Sequence, residues 1–342
     1  MTAEPSLVAP LDIRTCEMHT AGEPVRIVTG GYPIPEGAKL LERRRDARER
    51  LDRYRRLLMA EPRGHAEMYG ALLVPPDHPD AHLAVLFMHN EGYSTMCGHA
   101  VIALGRFAVE RGIVPPVEPE TEVRIQCPCG LVTAKVEVRE GRAGRVRFES
   151  VPCFALHRDA VVLTRGFGPV TLDVGFGGAF YAVLPAAELG LDLGTSPVGR
   201  LVEAAMEVKE AAARTLDLRH PEADDLAFLY GTVLTDGGDG APEPTTNVCV
   251  FADGQVDRSP TGSGVSTRLA LMHRRGQVGV GETRRFRSIT GGVFEGRVTA
   301  ATRAGPYPAV LTEVAGRAFH TGEARFTVEP DDPLGWGFLL GR

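Results

Sequence analysis

None of the 342 residues lies in a run of about 18 apolar residues, the length a membrane-spanning helix needs, so no membrane partner is expected. Positive charge is also scarce. The 38 Lys and Arg are outnumbered by 44 Asp and Glu, for a net charge of −6, and aromatics make up only 6% of the chain. With no basic stripe interleaved with aromatics, no nucleic-acid partner is expected. The opening Met1-Thr-Ala-Glu-Pro lacks the basic and apolar regions of a signal peptide. Six cysteines without an export signal read as reduced thiols, and the expected location is the cytoplasm. Cys127-x-Cys129 has no second pair at zinc spacing, so no metal site is expected, and Cys16, Cys153 and Cys249 read as core fillers. What is present, 24% charged and 43% hydrophobic residues, describes an ordinary globular chain long enough for two domains and a large core.

The informative feature is a repeat. From Cys97, Gly98 follows at +1, Val101 at +4 and Gly112 at +15; from Thr261, Gly262, Val265 and Gly276 follow at the same offsets. Each stretch continues as an apolar helical pattern with Arg near its end and Gly at the left-handed closing position. A strand-like run ending in Gly precedes each one: Ala84–Met88 before Gly92, and Val248–Ala252 before Gly254. Cys97 and Thr261 therefore stand at two equivalent helix N-termini. Such ends carry unpaired N–H groups and partial positive charge, so two of them facing each other make a receptacle for a carboxylate. A thiol placed there is expected to have a depressed pKa. On its own, a free cysteine is most often a small buried hydrophobe.

Taken in order, the chain predicts a strand at Ile13–Cys16, a glycine turn at residues 19–24, a strand at Val25–Val28 and a charged helix at Lys39–Met59 whose arginines form a solvated face. Antiparallel strands are expected at Glu122–Gln126, Val132–Val138 and Arg145–Glu149. The pattern restarts near Gly168 with Val170–Val174, a Gly175-x-Gly177 turn and Ala179–Leu184. That turn is no dinucleotide loop, because Phe180 takes the third glycine position and a strand follows. A helix at Leu201–Leu216 and short strands, among them Gly316–Thr321 and Ala324–Val328, complete the chain. The expected fold is α+β, with two similar domains, each an antiparallel sheet or barrel around a central helix, and the active site between them. The halves are 1–168, rejoined by 324–342, and 169–323.

Four ordered motifs carry a resemblance: Glu17 to Arg26 (EMHTAGEPVR), Glu61 to His65 (EPRGH), Met96 to His99 (MCGH) and Asp257 to Gly264 (DRSPTGSG). Together they resemble the proline racemase family, whose fold is similar to that of diaminopimelate epimerase. The resemblance implies that no cofactor is needed, that Cys97 is the catalytic thiol, and that His99 and Asp257 hold the substrate's ring nitrogen. It also implies that the amides of Gly98, His99, Gly262 and Ser263 cradle the carboxylate. Thr261 is the departure. Racemases and epimerases of the family carry a second cysteine there, and Thr resembles the dehydratase branch. The implied partner is then a small-molecule hydroxyproline. The sequence does not set the oligomeric state and admits a homodimer.

Inversion at Cα needs a base on one face and an acid on the other, and a Thr hydroxyl is neither near pH 7. One thiolate, Cys97, is left to remove the α-proton, with fixed N–H donors stabilising the enolate-like charge. The expected activity is dehydration of trans-3-hydroxy-L-proline to Δ1-pyrroline-2-carboxylate through the Δ2 tautomer. The 3-hydroxyl lies on the same ring face as the α-hydrogen, so the protonated thiol is placed to return its proton to the leaving oxygen; an ordered water or a nearby His is an alternative acid. The other readings are 4-hydroxyproline 2-epimerase or proline racemase, a cysteine hydrolase served by His65 or His19, and a non-catalytic amino-acid-binding protein.

Overall fold

A computed structural model describes residues 11–340; the opening residues considered for export lie outside them. The hairpin β1 (Ile13–Thr20) and β2 (Glu23–Gly30) leads into α1 (Leu40–Arg50) and α2 (Asp52–Met59), and β3 (Tyr69–Val74) returns parallel to β2. Then β4 (Leu83–His89) and the short β5 (Tyr93–Ser94) feed α3 (Gly98–Glu110), and β6 (Glu120–Cys127) returns parallel to β4. The antiparallel β7 (Gly130–Arg139) and β8 (Arg142–Glu149) follow, then β9 (Cys153–Leu163).

The same order then recurs. The hairpin β10 (Pro169–Phe176) and β11 (Phe180–Pro185) leads through α4 (Val198–Thr215) to β12 (Leu229–Thr235), parallel to β11. Next, β13 (Thr245–Phe251) and β14 (Gln255–Asp257) feed α5 (Gly262–Arg274), and β15 (Thr283–Ser288) returns parallel to β13. The chain ends through β16 (Val293–Ala304), β17 (Tyr307–Gly316) and β18 (Ala318–Phe326). All 18 strands join one sheet that closes on itself: β18 pairs with β1, β9 with both β10 and β17, and β8 with β17.

The sheet is mixed, not antiparallel as expected. In each run, two strands are separated by a helix that crosses over and brings the chain back in the same direction. The helix expected over Lys39–Met59 breaks at Leu51, whose ψ of 7° leaves the helical range. Its arginines are not all solvated. Arg55 is 4% exposed and donates to Asp52 and to the carbonyls of His89 and Asn90. One strand, β18, replaces the two expected near the C-terminus, and β9 escaped notice because its half-exposed run lacks clean alternation. Residue 168 lies in the β9–β10 turn.

Helix α3 is buried from Gly98 to Val109 except at Arg106, and it packs on β1, β2, β6, β7, β8, β17 and β18. Helix α5 is buried from Gly262 to Met272 and packs on β9, β10, β11, β16 and β17. Helix α3, apolar on nearly every side, needs such enclosure, whereas α5 also buries Ser266, Thr267 and Arg268, each hydrogen-bonded. No helix among the described residues is long and apolar enough to cross a membrane.

Candidate active site

The two enclosed helices meet end to end. A β-carbon added to Gly98 would lie 2.5 Å from Gly262 Cα, and one added to Gly262 would lie 2.6 Å from Gly98 Cα. Only glycine allows that approach. The first intrahelical donors are Val101, to the Cys97 carbonyl at 3.0 Å, and Val265, to the Thr261 carbonyl at 2.7 Å. The amides of Gly98, His99, Gly262 and Ser263 precede them, at the helix positions that have no partner within the helix.

All seven residues expected in the site line one small cavity: Cys97, Gly98, His99, Asp257, Thr261, Gly262 and Ser263. Its other walls are Tyr69, Met96, Tyr181, Tyr230 and Phe251. Every lining residue is buried.

Cys97 sits at the N-cap of α3 with its Sγ 3.1 Å from His99 Nδ1. The His99 carbonyl accepts from Thr20 Oγ1 at 2.8 Å, which ties the start of α3 to the β1–β2 turn. Burial pushes the Cys97 thiol well above its ordinary value, and the nearby Asp257 and Glu23 carboxylates add to the rise. The Ala100 N–H pulls the other way but is outweighed. The depressed pKa expected from the helix N-terminus is therefore corrected: desolvation beats the helix end. Burial likewise lowers His99, leaving a neutral thiol–imidazole pair.

Thr261, at the N-cap of α5, lines the same cavity. It has φ 65° and ψ 95°, a strained region for a β-branched residue. A chain of contacts holds it there: Asp257 Oδ1 accepts from Ser259 N at 2.7 Å, and Ser259 Oγ accepts from Thr261 N at 3.1 Å. Asn247 Nδ2 donates to the Pro260 carbonyl at 3.1 Å, with Arg268 bonded to Asn247 behind it. The Thr261 hydroxyl is buried and makes no hydrogen bond among the described residues.

Glycines bring the β10–β11 turn onto both helix ends. A side chain at Gly177 would run into the Ser263 carbonyl, and one at Gly178 would strike Met96; the Gly178 carbonyl accepts from Thr95 Oγ1 at 2.8 Å. The Gly175-x-Gly177 sequence thus serves close packing beside the cavity.

Sequence reasoning missed the aromatic wall and Glu23. Tyr69 Oη bonds Ser94 Oγ, its ring meets His99 edge-on at 4.8 Å, and Tyr181 Oη lies 2.8 Å from Ser263 Oγ. Tyr230 stacks on Phe251 at 5.4 Å. Glu23 is fully buried and feels the charge of Asp257; its Oε2 accepts from Arg258 N at 2.7 Å and its Oε1 has no hydrogen-bond partner among the described residues. Burial, then Asp257, push its carboxyl well above the usual range. Glu23 lies inside a quoted motif, but nothing in the motif says that it is buried; the tyrosines are distant in sequence and carry no local signal.

A closed mixed sheet around two helices whose N-termini converge on a thiol-walled cavity defines the class of this protein. The chain belongs to the proline racemase family, whose sequence profile, described as "Proline racemase", matches residues 15–339. It is 54% identical over 325 residues to a trans-L-3-hydroxyproline dehydratase of Saccoglossus kowalevskii, covering 94% of this chain and 100% of that one. It is 46% identical over 328 residues to a 3-hydroxyproline 2-epimerase of Burkholderia multivorans, covering 96% and 98%. Among solved structures it is similar to a hydroxyproline epimerase of Agrobacterium vitis with bound trans-4-hydroxy-L-proline, at TM-score 0.91 and 29% identity over 96% and 95% of the two chains.

Proposed function

We propose that this protein is a trans-3-hydroxy-L-proline dehydratase, a hydro-lyase that works with Cys97 as its base. The observation that carries the reading is Thr261, a hydroxyl lining the cavity of Cys97 where a second acid–base thiol would have to stand. The 54% identity to a protein of that name supports it over nearly the whole chain. The substrate's carboxylate lies on the amides of Gly98, His99, Gly262 and Ser263, and its ring ammonium faces Asp257 and His99. Arrival of that ammonium offsets the carboxylate charge that adds to burial in holding the thiol neutral. The thiolate then takes the α-proton, the amides stabilise the enolate-like charge, and the C3–O bond breaks as the C2=C3 bond forms. Water leaves, and the Δ2 product tautomerises to the Δ1 imine.

The two matching runs of strands are read as two domains with this site between them, so domain opening admits the substrate. A homodimer is carried as an expectation, to be read by light scattering.

The test is incubation with trans-3-hydroxy-L-proline, following imine formation. Wild type should form it, Cys97→Ser should not, and Asp257→Ala should raise KM and lower kcat. No imine from the wild type would overturn the reading. Epimerisation is the second reading, favoured by the 46% identity to a 3-hydroxyproline 2-epimerase. Polarimetry distinguishes the two, since an epimerase gives inverted substrate and a dehydratase does not.

A further inference from the structure

Elimination needs an acid for the departing oxygen as well as a base for the α-proton. Hydroxide is a poor leaving group, and proton donation to it is worth about 10²–10⁴-fold in rate. In trans-3-hydroxy-L-proline that oxygen sits on the α-hydrogen's face of the ring, so the donor must stand on the Cys97 side of the cavity. His99 is engaged with the Cys97 sulfur at 3.1 Å, and Tyr69 Oη is engaged with Ser94 Oγ. One further cavity hydroxyl, that of Tyr230, stands near enough to Cys97 to feel its charge. Tyr230 lines the cavity and is 6% exposed, and its Oη is buried without a hydrogen bond among the described residues. The ring is fixed by stacking on Phe251 at 5.4 Å and by edge contact with Tyr181 at 5.9 Å. A buried hydroxyl without a partner is destabilised, and a substrate oxygen placed against it would supply that partner.

We infer that Tyr230 is the acid of the reaction, its hydroxyl donating to the departing 3-hydroxyl while Cys97 removes the α-proton. The inference rests on the dehydratase reading above. The Tyr230 O–H proton joins the leaving oxygen to make water, the C3–O bond breaks, and the electrons of the C2–H bond form C2=C3. Cys97 is left as a thiol and Tyr230 as a phenolate. Ordinary thiols, near pKa 8.5, are more acidic than ordinary phenols, near 10, so the proton on Cys97 passes to the phenolate and both groups regain their starting charge. Burial, then the Cys97 thiol, push Tyr230 upward against the weaker pull of the neighbouring Tyr69 and Ser94 hydroxyls, which keeps its proton in place until the leaving oxygen demands it. The proton removed by Cys97 thus returns by way of Tyr230, not directly from sulfur to the leaving oxygen.

The test separates the two proton transfers. Wild type and Tyr230→Phe are incubated with trans-3-hydroxy-L-proline in deuterium oxide, and imine formation is measured beside deuterium at C2 of recovered substrate. Imine formation should fall by about 100-fold or more in the variant, while deuterium wash-in, the work of Cys97, persists. Equal loss of both would make Tyr230 a structural or binding residue and overturn the inference. So would Tyr69→Phe, rather than Tyr230→Phe, separating the two rates. Should Tyr230→Phe fail to fold, a fluorinated tyrosine at position 230, with its more acidic phenol, should move the pH profile of imine formation downward and leave that of exchange in place; an unmoved profile overturns the inference. A wild type that neither forms imine nor exchanges deuterium overturns the dehydratase reading itself, whereas one that forms imine leaves only Tyr230 in question.

Discussion

Gly98 and Gly262 touch backbone to backbone, so that a single methyl group on either would reach within 2.6 Å of the other's α-carbon. This contact aims two helix N-termini at one cavity. Gly98→Ala should force α3 and α5 apart, destabilising the protein by about 1–3 kcal/mol through overpacking. It should also cut turnover more than the stability loss explains, because the amide cradle opens. Urea unfolding beside kcat/KM checks both, and full activity at wild-type stability would mean that the helices do not abut.

Glu23 offers a prediction in pH. Its folded pKa is raised above the ordinary 4.5, so between those two values the native state binds more protons than the unfolded state. The stability contributed by the protonated carboxyl is therefore fully present below about pH 4.5 and is lost as pH rises through the folded value. Glu23→Gln keeps the shape without the ionisation. Relative to this variant, wild-type stability should decline as pH rises above about 4.5 in denaturant titrations. A flat difference would place an ionised carboxylate at Glu23.

Much of this could be read from the chain alone. Equal offsets from Cys97 and Thr261 revealed the paired helices, because capping glycines and an apolar face leave local marks. Parallel pairing left no mark: β2 with β3 and β11 with β12 are neighbours only through intervening helices, and strand direction is a property of the crossover. The thiol's pKa was misjudged for a similar reason. The helix N-terminus is local and legible, whereas burial and the Asp257 and Glu23 carboxylates arrive from distant segments. Tyr230 comes from β12, more than a hundred residues from Cys97, and only the closed sheet brings the two together.

Cys97 should be sluggish toward alkylation. With its pKa well above the usual 9.0 in the empty site, little thiolate exists at neutral pH. Iodoacetamide labelling of Cys97, followed by peptide mapping, should be slow near pH 7 and accelerate only above about pH 9. Rapid labelling at pH 7, comparable with that of an activated thiol, would show that the site rests open or that the helix end outweighs burial.

The last prediction turns on Thr261. Its hydroxyl shares the cavity with the Cys97 thiol, yet cannot exchange protons with carbon near pH 7. Thr261→Cys puts a thiol there at nearly the same side-chain volume. Cysteine is unbranched at Cβ, so it sits more easily than threonine at φ 65°. With L-proline, which has no 3-hydroxyl to lose, the carbanion raised by Cys97 in the present protein regains its proton only from the side it left. With a second thiol opposite, it is protonated from the other face. The variant in deuterium oxide should therefore yield D-proline carrying deuterium at Cα, while wild type returns only L-proline. Chiral chromatography with mass detection reads both. A folded variant that still dehydrates trans-3-hydroxy-L-proline but never inverts proline would mean that residue 261 does not face Cys97 across the bound ring.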